Sequence, residues 1–130
     1  MSHSLENKKV LIVEDDKDFL WILKQSFTNQ GVKVVYAQDG QEGFTMAEKE
    51  KPDLIIIDVM LPKMNGIQMA KQIRERGIKS QIIFLTNSNN ANYISEAIEA
   101  ISGADYIIKA DVSIDQIVAR VKEKLIPPFS

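Results

Sequence analysis

Five groups in this 130-residue chain have the residue types for charge chemistry, and each follows an apolar run. "VLIV" (10–13) leads into Glu14 and Asp15, with Asp16 beyond them. "LIII" (54–57) leads into Asp58, "IIFL" (82–85) into Thr86, and "YII" (106–108) into Lys109. Carboxylates brought together repel, so some must protonate or find a cation. Their oxygens suit a hard divalent ion, and Mg²⁺ completes its octahedron with water. Glu14, Asp15 and Asp58 sum to −3, Lys109 adds +1, and a bound Mg²⁺ would bring the total to zero, ready for an incoming anion. A positioned carboxylate beside Mg²⁺ and a lysine suits phosphoryl transfer to that carboxylate. Singly, each residue has a plainer reading. An acid after a strand caps the next helix, which is the role expected of Asp16. A threonine there serves a turn, and a lysine points to water. Their arrival in order, at the ends of four successive apolar runs, is what carries the chemistry.

That order requires a particular scaffold. The apolar runs, with a mixed run at Val32–Ala37, read as five strands. Helical patterns separate them. The first spans Lys17–Gln30, with Phe19, Ile22, Leu23 and Phe27 on one face and Trp21 opposite. Trp21 reads either as a ring lying on its neighbours or as a partner contact. The second helix is capped by Asp39 and ends by Pro52. The third runs from Gly66 to Gly77, burying Ile67, Ala70 and Ile73. The fourth would bury Ile94, Ala97, Ile98 and Ile101. The fifth opens on a capping box, Ser113 to Gln116, and buries Ile117, Val121 and Leu125. Alternating strands and helices give an α/β domain with a five-stranded parallel sheet, a flavodoxin-like doubly wound (βα)5 fold. Strands one, three and four are unbroken apolar runs and so belong inside the sheet. Strand two carries Lys33 and strand five is short, so these two are edges. The order is then 2-1-3-4-5, which places a site beyond the carboxyl ends of strands one and three.

Composition narrows the function. Hydrophobic residues make up 45% and charged residues 26%, which is ordinary for a globular domain. The net charge of −2 offers no basic footprint for nucleic acid or membrane. Without cysteine there is no disulfide, thiol catalysis or thiolate metal site. The opening MSHSLENKK lacks a signal-like apolar stretch, so a cytoplasmic protein is expected, with His3 solvated. The domain is expected over residues 9–126, with tails at 1–8 and 127–130. Pro127 and Pro128 stop the last helix.

With these residues in view, the chain resembles the receiver domain of bacterial two-component response regulators over roughly Lys9 to Leu125. "VLIVEDD" resembles the first strand with its acidic pocket. "DLIIIDVMLPKMNG" resembles the phosphoacceptor strand and loop and is the most specific match. "IIFLTN" resembles the switch-threonine strand, and "GADYIIKA" the strand of the aromatic and the lysine. The resemblance implies that Asp58 accepts a phosphoryl group from a histidine kinase or histidine phosphotransfer protein. It implies Mg²⁺ held directly by Asp15 and Asp58, by Glu14 through water, and by the Met60 backbone carbonyl. Lys109 would pair with phosphoryl oxygens, Thr86 would hydrogen-bond them, and Tyr106 would swing inward. The fourth helix, fifth strand and fifth helix would then engage a downstream protein or output domain, with a homodimer on phosphorylation. On this reading the chain is a phosphoaccepting switch and not an enzyme, standing alone or as part of a longer protein. It departs from the family's pattern twice. Ala110 replaces the usual proline, so the Lys109–Ala110 bond is expected to be trans. Asn87 replaces a very small residue.

Other functions fit less well. A flavin carrier of the same strand order needs a phosphate-binding loop after strand one, and "EDDKD" would repel that phosphate. A Mg²⁺-dependent phosphatase with an aspartyl nucleophile carries a second Asp two residues on, and here that residue is Met60. A receiver-like binding module without phosphorylation would lack a pocket group, and all are present.

Overall fold

A computed structural model describes residues 5–87, 95, 99, 101 and 103–126. Five strands, β1 (Lys9–Val13), β2 (Lys33–Ala37), β3 (Leu54–Asp58), β4 (Gln81–Thr86) and β5 (Asp105–Ile108), form one sheet. Every pairing is parallel and the order is β2-β1-β3-β4-β5, as the apolar patterning predicts. The described helices are α1 (Lys17–Thr28), α2 (Gly40–Glu50), α3 (Gly66–Glu75) and α4 (Ile114–Leu125). Of the helix expected around residues 94–101, Ile94, Ala97 and Ile98 lie outside the described residues. Ile101 is buried.

Period-two alternation divides the core between the two sheet faces. Val10, Ile12, Leu54, Ile56, Ile83 and Leu85 face α1 and α4, meeting Leu23, Phe27, Ile117 and Val121. Leu11, Val13, Ile55, Ile57, Ile82 and Phe84 face the other way, onto Ala47, Ile67, Ala70 and Ile73 of α2 and α3. Because both faces are covered, the central strands carry no polar alternation. At the edge, β2 is only partly buried.

Local signals set the helix ends. The Asp39 carboxylate accepts the Glu42 N–H at 2.8 Å. Ser113 and Gln116 form the reciprocal capping box at the start of α4. Gly77 follows α3 with φ +77°, a left-handed conformation that glycine adopts without a side-chain clash.

Two expectations need correction. Helix α1 buries Leu20, Leu23 and Phe27, while Ile22 is half exposed. The stripe follows i, i+3, i+7 from Leu20, and Ile22 turns outward beside Trp21. Trp21 is exposed as expected, with the Lys24 ammonium 4.9 Å from its ring centroid. The other correction concerns the N-terminal tail. Leu5 is completely buried in the α1/α4 core, and Lys8 accepts the Lys33 N–H at 2.8 Å. Residues 5–8 therefore belong to the packed domain. A lone leucine among polar neighbours has no periodicity to announce it.

Gly66 sets the loop after β3. A Cβ there would lie 2.3 Å from the backbone oxygen of Asp58, so α3 starts against the strand end at a distance only glycine allows. Gly66→Ala is expected to cost about 1–3 kcal/mol through this overpacking. Urea denaturation checks it: an unchanged midpoint would mean that the loop yields freely.

Candidate functional site

Strand order brings the charged residues together. β1 and β3 are neighbours whose connections leave in opposite directions, which opens a crevice beyond their carboxyl ends. Val13 pairs with Ile57, so Glu14 and Asp58 are the next pair along. Asp58 pairs with Leu85 on β4, and Thr86 pairs with Ile108 on β5. Lys109 is therefore one residue beyond the partner of Thr86, in a short 3-10 turn over Lys109–Asp111. Backbone bonds fix these ends: Glu14 N–H to Ala37 at 3.0 Å, and Val59 N–H to Leu85 at 2.9 Å. The expected site residues Glu14, Asp15, Asp58, Thr86 and Lys109 thus all sit on one rim.

Contact among them centres on the Lys109 ammonium. It donates to both oxygens of Glu14, at 2.8 and 2.9 Å, and to Asp58 Oδ2 at 3.0 Å. Glu14 is fully buried and Asp58 is 3% exposed. Asp58 Oδ1 accepts the Met60 N–H at 2.9 Å, and Glu14 Oε1 accepts the Asp16 N–H at 3.2 Å. Among the described residues, no buried side-chain polar atom lacks a partner. Asp15 is exposed, yet one of its oxygens lies within 4.8 Å of oxygens from Glu14 and Asp58. Asp16 caps α1 as expected, accepting from the N–H groups of Asp18 and Phe19.

One ammonium cannot neutralise two buried carboxylates. Burial, reinforced by the neighbouring Asp58 carboxylate, pushes the Glu14 carboxyl up to about 7 against the pull of Lys109. For Lys109, burial acts downward, but the hydrogen bonds and charges of Glu14 and Asp58 outweigh it and hold the amine above its ordinary value. The lysine is thus a fixed cation. Three carboxylates with oxygens this close form a hard donor set, and they fit a divalent ion such as Mg²⁺.

The remaining expected residues are placed differently. Thr86 is buried at the end of β4. Tyr106 lies on edge strand β5, 37% exposed. Met60 meets Asp58 through its backbone N–H while its side chain is 54% exposed. Among the described residues no peptide bond is cis, so Lys109–Ala110 is trans as expected. Asn87 is exposed. The sequence reading missed one neighbour of the site, Phe19, whose ring centroid is 4.5 Å from the Lys109 ammonium. Its signal was available: it stands three residues after the capping Asp16, in the first turn of α1 and nearest the rim.

Comparison with known proteins identifies the family. The family model described as response regulator receiver domain matches residues 10–122. The chain is 37% identical over 116 residues to the alkaline phosphatase synthesis transcriptional regulatory protein PhoP of Bacillus subtilis, covering 89% of this chain and 48% of that protein. It is 29% identical to the response regulator MprA of Mycolicibacterium vanbaalenii, covering 90% of this chain and 50% of that one. It therefore spans about half the length of these curated relatives. Among solved structures, a CheY-like receiver domain protein of Methanospirillum hungatei superposes with a TM-score of 0.84 at 30% identity, covering 92% of this chain and 94% of that one. The Francisella response regulator 1452 receiver domain gives 0.79 at 32% identity, covering 88% and 93%. The chain belongs to the response regulator receiver domains of two-component systems.

Proposed function

We infer that this receiver accepts a phosphoryl group on Asp58 from a phosphohistidine donor in a histidine kinase or phosphotransfer protein. The observation that supports this most is the buried Asp58 carboxylate, held at the strand switch point by a lysine shared with Glu14. In the transfer, an Asp58 oxygen forms a bond to phosphorus as the P–N bond to the donor imidazole breaks. The electron pair of that bond leaves with the imidazole, which takes a proton from solvent. Lys109 moves its hydrogen bond from the Asp58 carboxylate to the phosphoryl oxygens. The Met60 N–H orients Asp58, and the Thr86 hydroxyl donates to the new group. Asp15, Asp58 and the Met60 carbonyl would hold Mg²⁺ directly, and Glu14 through water. That division fits the engagement of both Glu14 oxygens by Lys109 while Asp15 faces solvent. When bound, the ion neutralises charge on the phosphoryl oxygens. The acceptor is itself modified, so the protein is a switch and not a turnover enzyme.

The signal would leave by β5, α4 and the segment around residues 94–101. Phosphorylation replaces the singly charged carboxylate by a group carrying about −2 near neutral pH, with three acceptor oxygens. Pulling Thr86 inward vacates space that Tyr106 can fill. Turning a 1:99 mixture into 99:1 takes about 5.5 kcal/mol. A charge-assisted hydrogen bond supplies about 1.5–3 kcal/mol. Thr86 is therefore not enough by itself, and Lys109 must contribute. The surface so altered would meet an output domain, a downstream protein or a second copy. Among the described residues, no helix is long and apolar enough to cross a membrane.

Asp58→Asn should abolish a Mg²⁺-dependent gain of one phosphate from acetyl phosphate, read by intact mass, while far-UV circular dichroism stays unchanged. Labelling at full yield in this variant would sink the assignment.

Glu14 gives a pH test without metal. Its folded pKa, about 7, lies above the ordinary 4.5, so between these values the folded state binds the extra proton. Stability from this group is therefore present at low pH and falls as pH rises from 4.5 to 7, by up to about 3 kcal/mol. Denaturation in chelator at pH 5 and pH 8 should show the parent losing stability relative to Glu14→Gln. Added Mg²⁺ should restore the parent at pH 8, because the ion binds the charged carboxylates of the folded state. Parallel pH profiles for the two proteins would show that Glu14 is ionised throughout.

A further inference from the structure

We propose that Phe19 is a positioning residue for Lys109, holding the ammonium at the rim by its ring face while the ammonium exchanges anionic partners. The proposal rests on phosphorylation at Asp58. Among the described contacts of Lys109 Nζ, two partners are carboxylates, Glu14 and Asp58, and the third is the Phe19 ring at 4.5 Å. Both carboxylates belong to the set that would hold a cation, and Asp58 would itself be modified. Every charged partner of the lysine therefore changes during the reaction. The ring is the contact for which neither a metal nor a phosphoryl group competes. A cation–π attraction comes from the whole quadrupole and needs no single lone pair. The ammonium can thus tilt from one oxygen to another above the ring without losing it.

The placement of Phe19 is itself tied to the pocket. Its backbone N–H donates to Asp16 Oδ1 at 3.2 Å, and the Asp16 N–H donates to Glu14 Oε1 at 3.2 Å. The carboxylate that receives Lys109 therefore also anchors the turn that presents the ring. Glu14 and Asp58 continue the alternation of Ile12 and Ile56, on the α1 side of the sheet, where Phe19 packs against the core. An aliphatic side chain could fill the same space, but it offers no quadrupole.

Phe19→Leu and Phe19→Tyr separate the two roles, since leucine keeps apolar bulk and tyrosine keeps the π face. With acetyl phosphate and Mg²⁺, Phe19→Leu should label roughly fivefold more slowly at saturating donor, with the half-saturating donor concentration unchanged. Phe19→Tyr should restore the parent rate. In all three proteins, NMR of the Lys109 side chain reads the contact directly. Its ε-methylene protons should be ring-current shifted in the parent and in Phe19→Tyr, and unshifted in Phe19→Leu. Equal rates in all three proteins would overturn the proposal, as would equal slowing in both variants. If the parent itself takes no phosphate, the Asp58 reading fails. The side-chain shifts then still decide whether Phe19 holds Lys109, and an unshifted parent resonance would overturn that.

Discussion

The structure turns on one ammonium between two buried carboxylates. Lys109 reaches from the end of β5 to Glu14 after β1 and to Asp58 at the end of β3, and these contacts span 95 and 51 residues of sequence. Breaking a buried pair of this kind by removing one partner typically costs about 3–5 kcal/mol, because it leaves a charge uncompensated. Replacing all three groups by apolar residues could leave a more stable protein. The cluster therefore contributes reactivity and specific geometry more than stability. Two like charges under one cation form a site short of positive charge, and that shortage draws a divalent ion.

Everything beneath the cluster serves to keep it aligned. Parallel pairing brings the strand ends to one rim, and helices on both faces exclude water from the strands that carry them. The short approach of α3 to Asp58, allowed by Gly66, bends the loop so that the Met60 N–H meets the carboxylate. The Asp16 cap does the same at the other side, directing the first turn of α1 toward Lys109. The surface pairs are less consequential. Arg120 to Asp105 at 3.3 Å and Lys124 to Asp105 at 3.8 Å join α4 to β5, but both are partly solvated and contribute about 0–1 kcal/mol each.

Much of this was legible in the chain because the fold uses strong local signals. Four unbroken or nearly unbroken apolar runs identify strands, and an edge cannot be mistaken for an interior strand when one edge carries Lys33 and the other has an apolar run of only three residues. Caps at Asp16, Asp39 and Ser113 located helix starts to within a residue. Errors arose where a residue's environment comes from elsewhere. Leu5 is buried by α1 and α4, which no neighbour in sequence announces. Ile22 looked apolar enough for the core, but the helix turns it to solvent once Leu20 takes the inward position.

Sequence alone determined the class of fold, the order of the strands and the set of charged residues at their ends, because periodicity and residue type are local properties. It could say that Glu14, Asp15, Asp58 and Lys109 would share a rim. Tertiary structure decided how they share it: Glu14 buried and engaged by Lys109 at both oxygens, Asp15 in water, and a phenyl ring behind the ammonium. Those assignments depend on side chains meeting across 95 residues, and on desolvation that raises one carboxyl to about 7. Burial is a property of the assembled molecule, so no stretch of chain contains it.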